Sequence, residues 1–279
     1  MACDPNSRRP FGRRFGWAAV AVVCVGLALG VLRVRQADRQ LRADLLQQAT
    51  VISWALNATQ VDALSGTTTD LDHVLYQRVK DQLVRTRILY PLCQFLYLMK
   101  KDVSGNIIFL VDSEPPDSEN YSPPGQVYDE ATPVLHDALD KGKLNVEGPV
   151  SDRWGSWISA LVPIFHPYDD RIVAVLGMDV DARQWRATIL KPVPSTILFT
   201  VLLLMVLAAG YLLFIQHPKP SPSIPLWRSP EVLLTLMTGL SLTLIAAMLA
   251  RDNEQRAQRE AFLRKAVTMA ETALAATLA

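Results

Sequence analysis

Three uncharged apolar runs constrain this chain before anything else does. Phe15–Leu32 holds 18 residues, Ile197–Ile215 holds 19, and Val232–Ala250 another 19. A bilayer span takes about 20 mainly apolar residues. Each run therefore reads as a transmembrane helix, at 15–32, 195–215 and 232–250. The alternative for each is a buried core helix. For the first, a cleaved signal peptide is a further alternative, because Ala28 and Gly30 stand at small-residue spacing. The uncharged run reaches almost to Arg33 and an amphipathic segment follows directly, which favours an uncleaved anchor. Trp17, Tyr211 and Trp227 lie near span ends, where amphipathic rings favour the membrane–water interface.

Charge alone does not orient the first span. Arg8, Arg9, Arg13 and Arg14 precede it, and Arg33, Arg35, Arg39 and Arg42 follow it. The segment between the first two spans, 33–196, is far longer than the short loops that obey the positive-inside rule, and long domains translocate largely regardless of charge. Residues 1–14 are thus a cytoplasmic tail, 33–192 an outer domain, 216–231 a cytoplasmic loop, and 251–279 an outer helix that begins a second, truncated module. A net charge of +1 argues against a nucleic-acid partner, which needs a basic face. Cys93 is the only cysteine of the outer domain, so that domain has no internal disulfide.

Within the outer domain, Ala37, Leu41, Leu45, Ala49, Ile52 and Leu56 form one helical stripe, predicting a helix over 33–57. Leu71, Leu75, Val79 and Leu83 predict a second over 70–88, with Asp70 as N-cap and a break forced at Pro91. The period then changes. Gln94–Lys100 and Ile107–Asp112 read as a hairpin about the turn 102–106. A Pro-rich polar loop leads to a helix over 127–141, ended by Gly142. Strands follow at Lys143–Glu147, Trp157–His166 and Arg171–Val180, and an exit helix at 184–190 capped by Asp181. The order predicts an α+β domain: a mainly antiparallel sheet of about five strands, helices on one side, and the long loop near the other. The strand from Trp157 is almost continuously apolar, which places it in the middle of the sheet.

Three strings in this order, FLVDSEPPDSENYSPPGQVYDEA, EGPVSDRWGSWISALVPI and AVLGMDVDA, resemble the extracytoplasmic Cache (PAS-like) sensor domains of bacterial signalling receptors. The resemblance covers about residues 34–190. It implies a PAS-like/Cache sheet with a long N-terminal helix, beside the three transmembrane helices. It implies a small-molecule ligand held between the sheet and the long loops, and a homodimer formed through the membrane-proximal helix 33–57. It also implies a place in a bacterial inner membrane, multi-pass, with the sensor in the periplasm or outside. The output module it implies is a histidine kinase, or alternatively a diguanylate cyclase or chemoreceptor. A protein-interaction domain and a tethered enzyme are the other classes open.

Carried onto this chain, the site is edged by the 112–128 loop, the 152–157 segment and the chain near Asp179. Asp112 and Asp179 are carboxylates at the ends of apolar strands, where a bare charge is costly and a ligand amine or hydroxyl is one partner. For Asp112 the other reading is a cap for Ser113 or Glu114. Tyr121 and Tyr128 bracket Ser122–Gly125 and either close over a ligand or pin the loop to the sheet. Trp154 and Trp157 either wall a cavity or fill the core, and the Gly-Ser between them allows close approach. Asp152 and Arg153 read first as a surface ion pair, and the other reading is that Arg153 holds a ligand carboxylate through its planar fork.

No enzyme constellation stands out. His73, His136, His166 and His217 are scattered without metal-ligand spacing, and there is no Gly-rich phosphate loop. The sequence implies no cofactor and no catalytic centre of its own.

Overall fold

The computed structural model describes residues 9–216, with side chains over 15–212. The third apolar run, 232–250, the loop 217–231 and the helix expected after 250 lie outside the described residues. The chain divides into two compact units.

In the first unit, the N-terminal part of α1 (Arg9–Ala55) lies beside α6 (Val193–Gln216). Phe15 stacks on Tyr211 with ring centroids 4.4 Å apart. A Cβ on Gly26 would come within 2.3 Å of Thr200 Oγ1. A residue without a side chain here lets the Thr200 side chain pack directly on the α1 backbone, and small residues of this kind allow close helix packing. Two helices among the described residues, Phe15–Ala55 and Ala182–Leu212, are long and apolar enough to cross a membrane.

The second unit is Val31–Val193. The rest of α1 is followed by α2 (Ala58–Asp62), a 3-10 turn (Thr68–Asp72) and α3 (Val74–Leu89). The sheet comprises β1 (Cys93–Lys101), β2 (Ile107–Asp112), β3 (Asn145–Asp152), β4 (Gly155–Phe165) and β5 (Ile172–Asp181), with α4 (Pro133–Lys141) before β3 and α5 (Ala182–Ile189) after β5. The strand order is β2-β1-β5-β4-β3, and every neighbouring pair is antiparallel. An α+β unit with five strands and a long N-terminal helix is thus what the sequence folds into. The central strand is β5, not β4. β4 is interior, between β5 and β3, and that suffices to explain its apolar run.

Both faces of the sheet are covered, which is why its inner strands do not alternate with polar residues. One face packs Leu96, Leu98, Ile158, Ala160, Leu176 and Met178 against Leu45, Ala49 and Ile52 of α1 and Val79 and Leu83 of α3. The other packs Met99, Phe109, Leu161 and Val175 against Leu135, Ala138 and Leu139 of α4. The expectation of helices on one side only is corrected here, since α4 belongs to the loop side.

Three local expectations also change. α4 begins at Pro133 rather than at 127, because Pro fits the first helical position and Thr132 Oγ1 accepts the Leu135 N–H at 3.1 Å. Val127 instead bridges to Ile108 in the sheet direction. Asp70 does not cap α3. His73 does, through Nδ1 on the Leu75 N–H, while the Asp70 carboxylate accepts from the Ser65 and Gly66 N–H groups. β3 runs five residues further than the pattern suggests, to Asp152, and turns into β4 at Arg153-Trp154. Asp181 caps α5 as its position indicates, accepting the Arg183 N–H at 2.6 Å.

Candidate functional site

The loop-side face of the sheet carries a row of residues that alternation alone puts together. Phe95, Asp179 and Ser159 stand side by side on β1, β5 and β4, and Tyr97, Gly177 and Leu161 form the next row. A Cβ on Gly177 would lie 2.2 Å from a Tyr97 ring atom. Glycine at this position lets the ring lie across β5, and the Tyr97 hydroxyl then donates to Asp179 Oδ1 at 3.2 Å.

Asp179 is 5% exposed. Burial pushes its pKa up to about 7, against the opposing hydrogen bonds from the Ser159 and Tyr97 hydroxyls, with Asp152 and Glu147 adding like-charge repulsion. Burial likewise pushes the Tyr97 phenol well above its ordinary value.

A second carboxylate organises the tip of the β3–β4 hairpin. Asp152 Oδ1 accepts from the backbone N–H of Trp154 (2.9 Å) and Gly155 (3.0 Å) and from the Trp157 indole (2.9 Å). Its Oδ2 accepts from the Tyr128 hydroxyl at 3.3 Å. Gly155 backs onto Trp157, whose ring a Cβ would meet at 2.6 Å, so the close approach expected of the Gly-Ser pair is to the protein's own indole. The expected Asp152–Arg153 ion pair is absent. Arg153 turns outward to Glu130 (3.2 Å) and Asp129 (3.9 Å), because Asp152 is already held by four donors on the inner side.

The third carboxylate shapes the long loop. Asp112 Oδ1 accepts the Glu114 N–H at 3.0 Å and Oδ2 the Ser122 N–H at 2.9 Å, which draws the far end of the loop back to its start. Burial raises the Asp112 pKa, with those two hydrogen bonds opposing. On the opposite side Lys80 of α3 donates to the Asp112 carbonyl (2.9 Å) and the Glu114 carbonyl (2.6 Å), and lies 4.5 Å from the centroid of the Tyr121 ring. Burial pulls the Lys80 pKa down.

These devices border a small, open-mouthed cleft of about 30 Å³. Asp112, Tyr128, Trp154, Trp157 and Asp179 all line it. Tyr121 does not. Its hydroxyl lies 3.2 Å from that of Tyr76 on α3, so it ties the loop to the helix layer. The cleft floor of Phe95, Tyr97, Met99 and Phe109 is not among the residues the sequence points to, whereas Asp152 belongs to the 152–157 segment expected to edge the site. The alternation of β1 around Tyr97 was the available signal for that floor. Phe109 is the hub of the aromatic wall, edge-on to Tyr97 (5.5 Å), Tyr128 (5.8 Å) and Trp154 (5.8 Å). Among the described residues no group of His, Cys, Asp and Glu is placed to hold a metal ion.

No protein family model matches the chain, and no curated protein matches it. Solved structures do. The ligand-binding domain of Campylobacter jejuni chemoreceptor Tlp3 in complex with L-valine is 13% identical, covering 63% of this chain and 67% of that one, with a TM-score of 0.40. The sensory domain of the same receptor with isoleucine bound is 12% identical over the same shares, at 0.39. The periplasmic domain of RsbU from Chlamydia trachomatis is 14% identical, covering 57% of this chain and 58% of that one, at 0.28. Identity this low leaves the chemistry of the cleft to be read from its own residues.

Proposed function

We propose that residues 31–193 are the extracytoplasmic sensor head of a membrane-anchored signalling receptor, and that the cleft takes up a small molecule. The observation that carries this reading is the cleft: concave, walled by aromatic rings, with a few polar groups converging from β5, the β3–β4 tip and the long loop. Two further features support it. The apolar helical runs at both ends of the head suit anchoring. The Lys80 contacts connect the cleft loop to α3. A ligand that favours one arrangement of loop and rings would bias α3 and α1 by as much as its affinities for the two arrangements differ.

The finer reading is a histidine-kinase-type receptor in a bacterial inner membrane, N-terminus inside, dimeric through 33–57. Its basis is the resemblance of the three strings. A reporter fused at residue 222 tests the orientation: activity on the outer side there overturns it. The ligand reading is tested by thermal unfolding of the full chain in detergent against amino acids, organic acids and amines. A saturable rise in Tm that Trp154→Ala and Asp179→Asn both abolish supports it. A rise that both variants retain unchanged places the ligand elsewhere.

A further inference from the structure

We infer that the ligand of this cleft is a small organic cation, an ammonium group carrying compact alkyl substituents; this rests on the cleft being a ligand site at all. Its lining contains three carboxylates, from Asp112, Asp152 and Asp179, and no lysine, arginine or histidine. Asp179 is the group that most needs a counter-charge. It sits on the central strand, 5% exposed, and its partners are the neutral hydroxyls of Tyr97 and Ser159. A buried carboxylate is normally matched by a cation, because the desolvation it suffers is offset only by opposite charge or several strong donors.

The nearby cations of the protein are committed elsewhere. Lys80 spends its ammonium on two backbone carbonyls behind the loop. Arg153 lies over the Trp154 ring, 5.2 Å from its centroid, with its guanidinium paired to Glu130 and Asp129. Asp152 cannot relieve Asp179 and instead adds repulsion to it. A positive charge between the two carboxylates removes that repulsion.

The walls decide which kind of cation. Tyr97, Phe109, Tyr128 and Trp154 form a contiguous aromatic set, with neighbouring centroids 5.5–6.1 Å apart. Ring faces attract cations, most strongly when these are desolvated, and aromatic cages suit alkylated ammonium groups. A bare metal ion calls for several oxygen, nitrogen or sulfur ligands, and the lining does not arrange them. A free acid meets three carboxyl groups and no lining cation. A zwitterion would need a cation for its carboxylate, and the one at the rim, Arg153, is already paired with Glu130 and Asp129.

The experiment titrates the full chain in detergent with choline, ethanolamine, 3,3-dimethyl-1-butanol, L-valine and acetate, read by intrinsic tryptophan fluorescence and Tm. 3,3-Dimethyl-1-butanol reproduces the shape of choline without its charge. The inference expects choline or ethanolamine to bind saturably, at least about tenfold more tightly than the neutral isostere. Asp179→Asn should weaken the cation by about tenfold or more and leave the isostere unchanged. Equal binding of choline and its isostere overturns the inference. Binding of valine or acetate without either cation overturns the ligand class and leaves the sensor reading intact. Absence of saturable binding by every compound tested here and in the wider panel overturns both.

Discussion

The Tyr97 hydroxyl reaches the Asp179 carboxylate across a position, Gly177, that has no side chain. Three residues on two strands thus form one unit of the cleft floor. Gly177→Ala puts a methyl into the Tyr97 ring, which must move. Overpacking of this kind costs about 1–3 kcal/mol. Urea unfolding of Gly177→Ala should show a loss in that range, together with loss of cleft binding. Tyr97→Phe, which keeps the ring, should cost only about 1 kcal/mol. Equal effects of the two variants would contradict the arrangement.

Asp179 makes stability depend on pH near neutrality. Its carboxyl moves from an ordinary 3.8 to about 7 in the folded state. Between those values the folded form retains a proton that the unfolded chain has released, so stability is lost as pH rises through this window. The slope is at most about 1.4 kcal/mol per pH unit. The groups facing Asp179 are Tyr97, Ser159, Asp152 and Glu147, with Cys93 and Tyr128 also close enough to feel its charge. Asp112 and Glu147, also raised by burial, act in the same direction. Asp62 and Asp70 are held low and act oppositely, at the acid end. Tm should be higher at about pH 5 than at about pH 8, and Asp179→Asn should flatten that dependence. An unchanged profile in the variant would count against it.

Lys80 is 8% exposed and holds the carbonyls of Asp112 and Glu114, the residues on either side of Ser113. Lys80→Met keeps most of the stem but leaves two buried acceptors without their donor. The expected cost is about 2–4 kcal/mol. The loop 113–124 should become the first site of limited proteolysis, whereas Lys141→Met, on an exposed pair with Asp137, should change neither readout.

On α5, the Trp185 indole donates to Asp38 Oδ1 at 2.8 Å, while Asp38 Oδ2 accepts from Arg42 at 3.0 Å. Arg42 in turn donates to the Gly148 carbonyl at 2.9 Å. This clamp joins α5, α1 and β3. Trp185→Phe removes the indole donor and should cost about 1 kcal/mol. Ligand affinity should stay unchanged, while a ligand-dependent change in protease protection of α1 should shrink. A fall in affinity equal to that of a cleft variant would deny the clamp a role in transmission.

The parts of this fold legible in the sequence are those set by local periodicity: the α1 stripe, the β1–β2 hairpin about Asp102–Asn106, and β5. What was not legible depended on long-range pairing. Nothing around Trp157 says whether β4 or β5 is central, because both are buried along nearly their whole length. The start of α4 was misplaced since Val127 and Tyr128 look helical until β2 is seen beside them. The cleft candidates came from strand ends and loop aromatics, so Asp112, Tyr128, Trp154, Trp157 and Asp179 were visible. Tyr97 was not, because its role depends on a glycine opposite it on another strand. Tyr121 fell on the wrong side because a loop's sequence does not say which layer each ring meets.

The most direct test is a tryptophan-fluorescence titration of the full chain with whichever panel compound raises Tm most, repeated on Gly177→Ala and Asp179→Asn. The account predicts saturable one-to-one binding in the wild-type chain, its loss in Gly177→Ala and a weakening of about tenfold or more in Asp179→Asn, while each still unfolds cooperatively. Saturable binding that persists at unchanged affinity in both folded variants would contradict it.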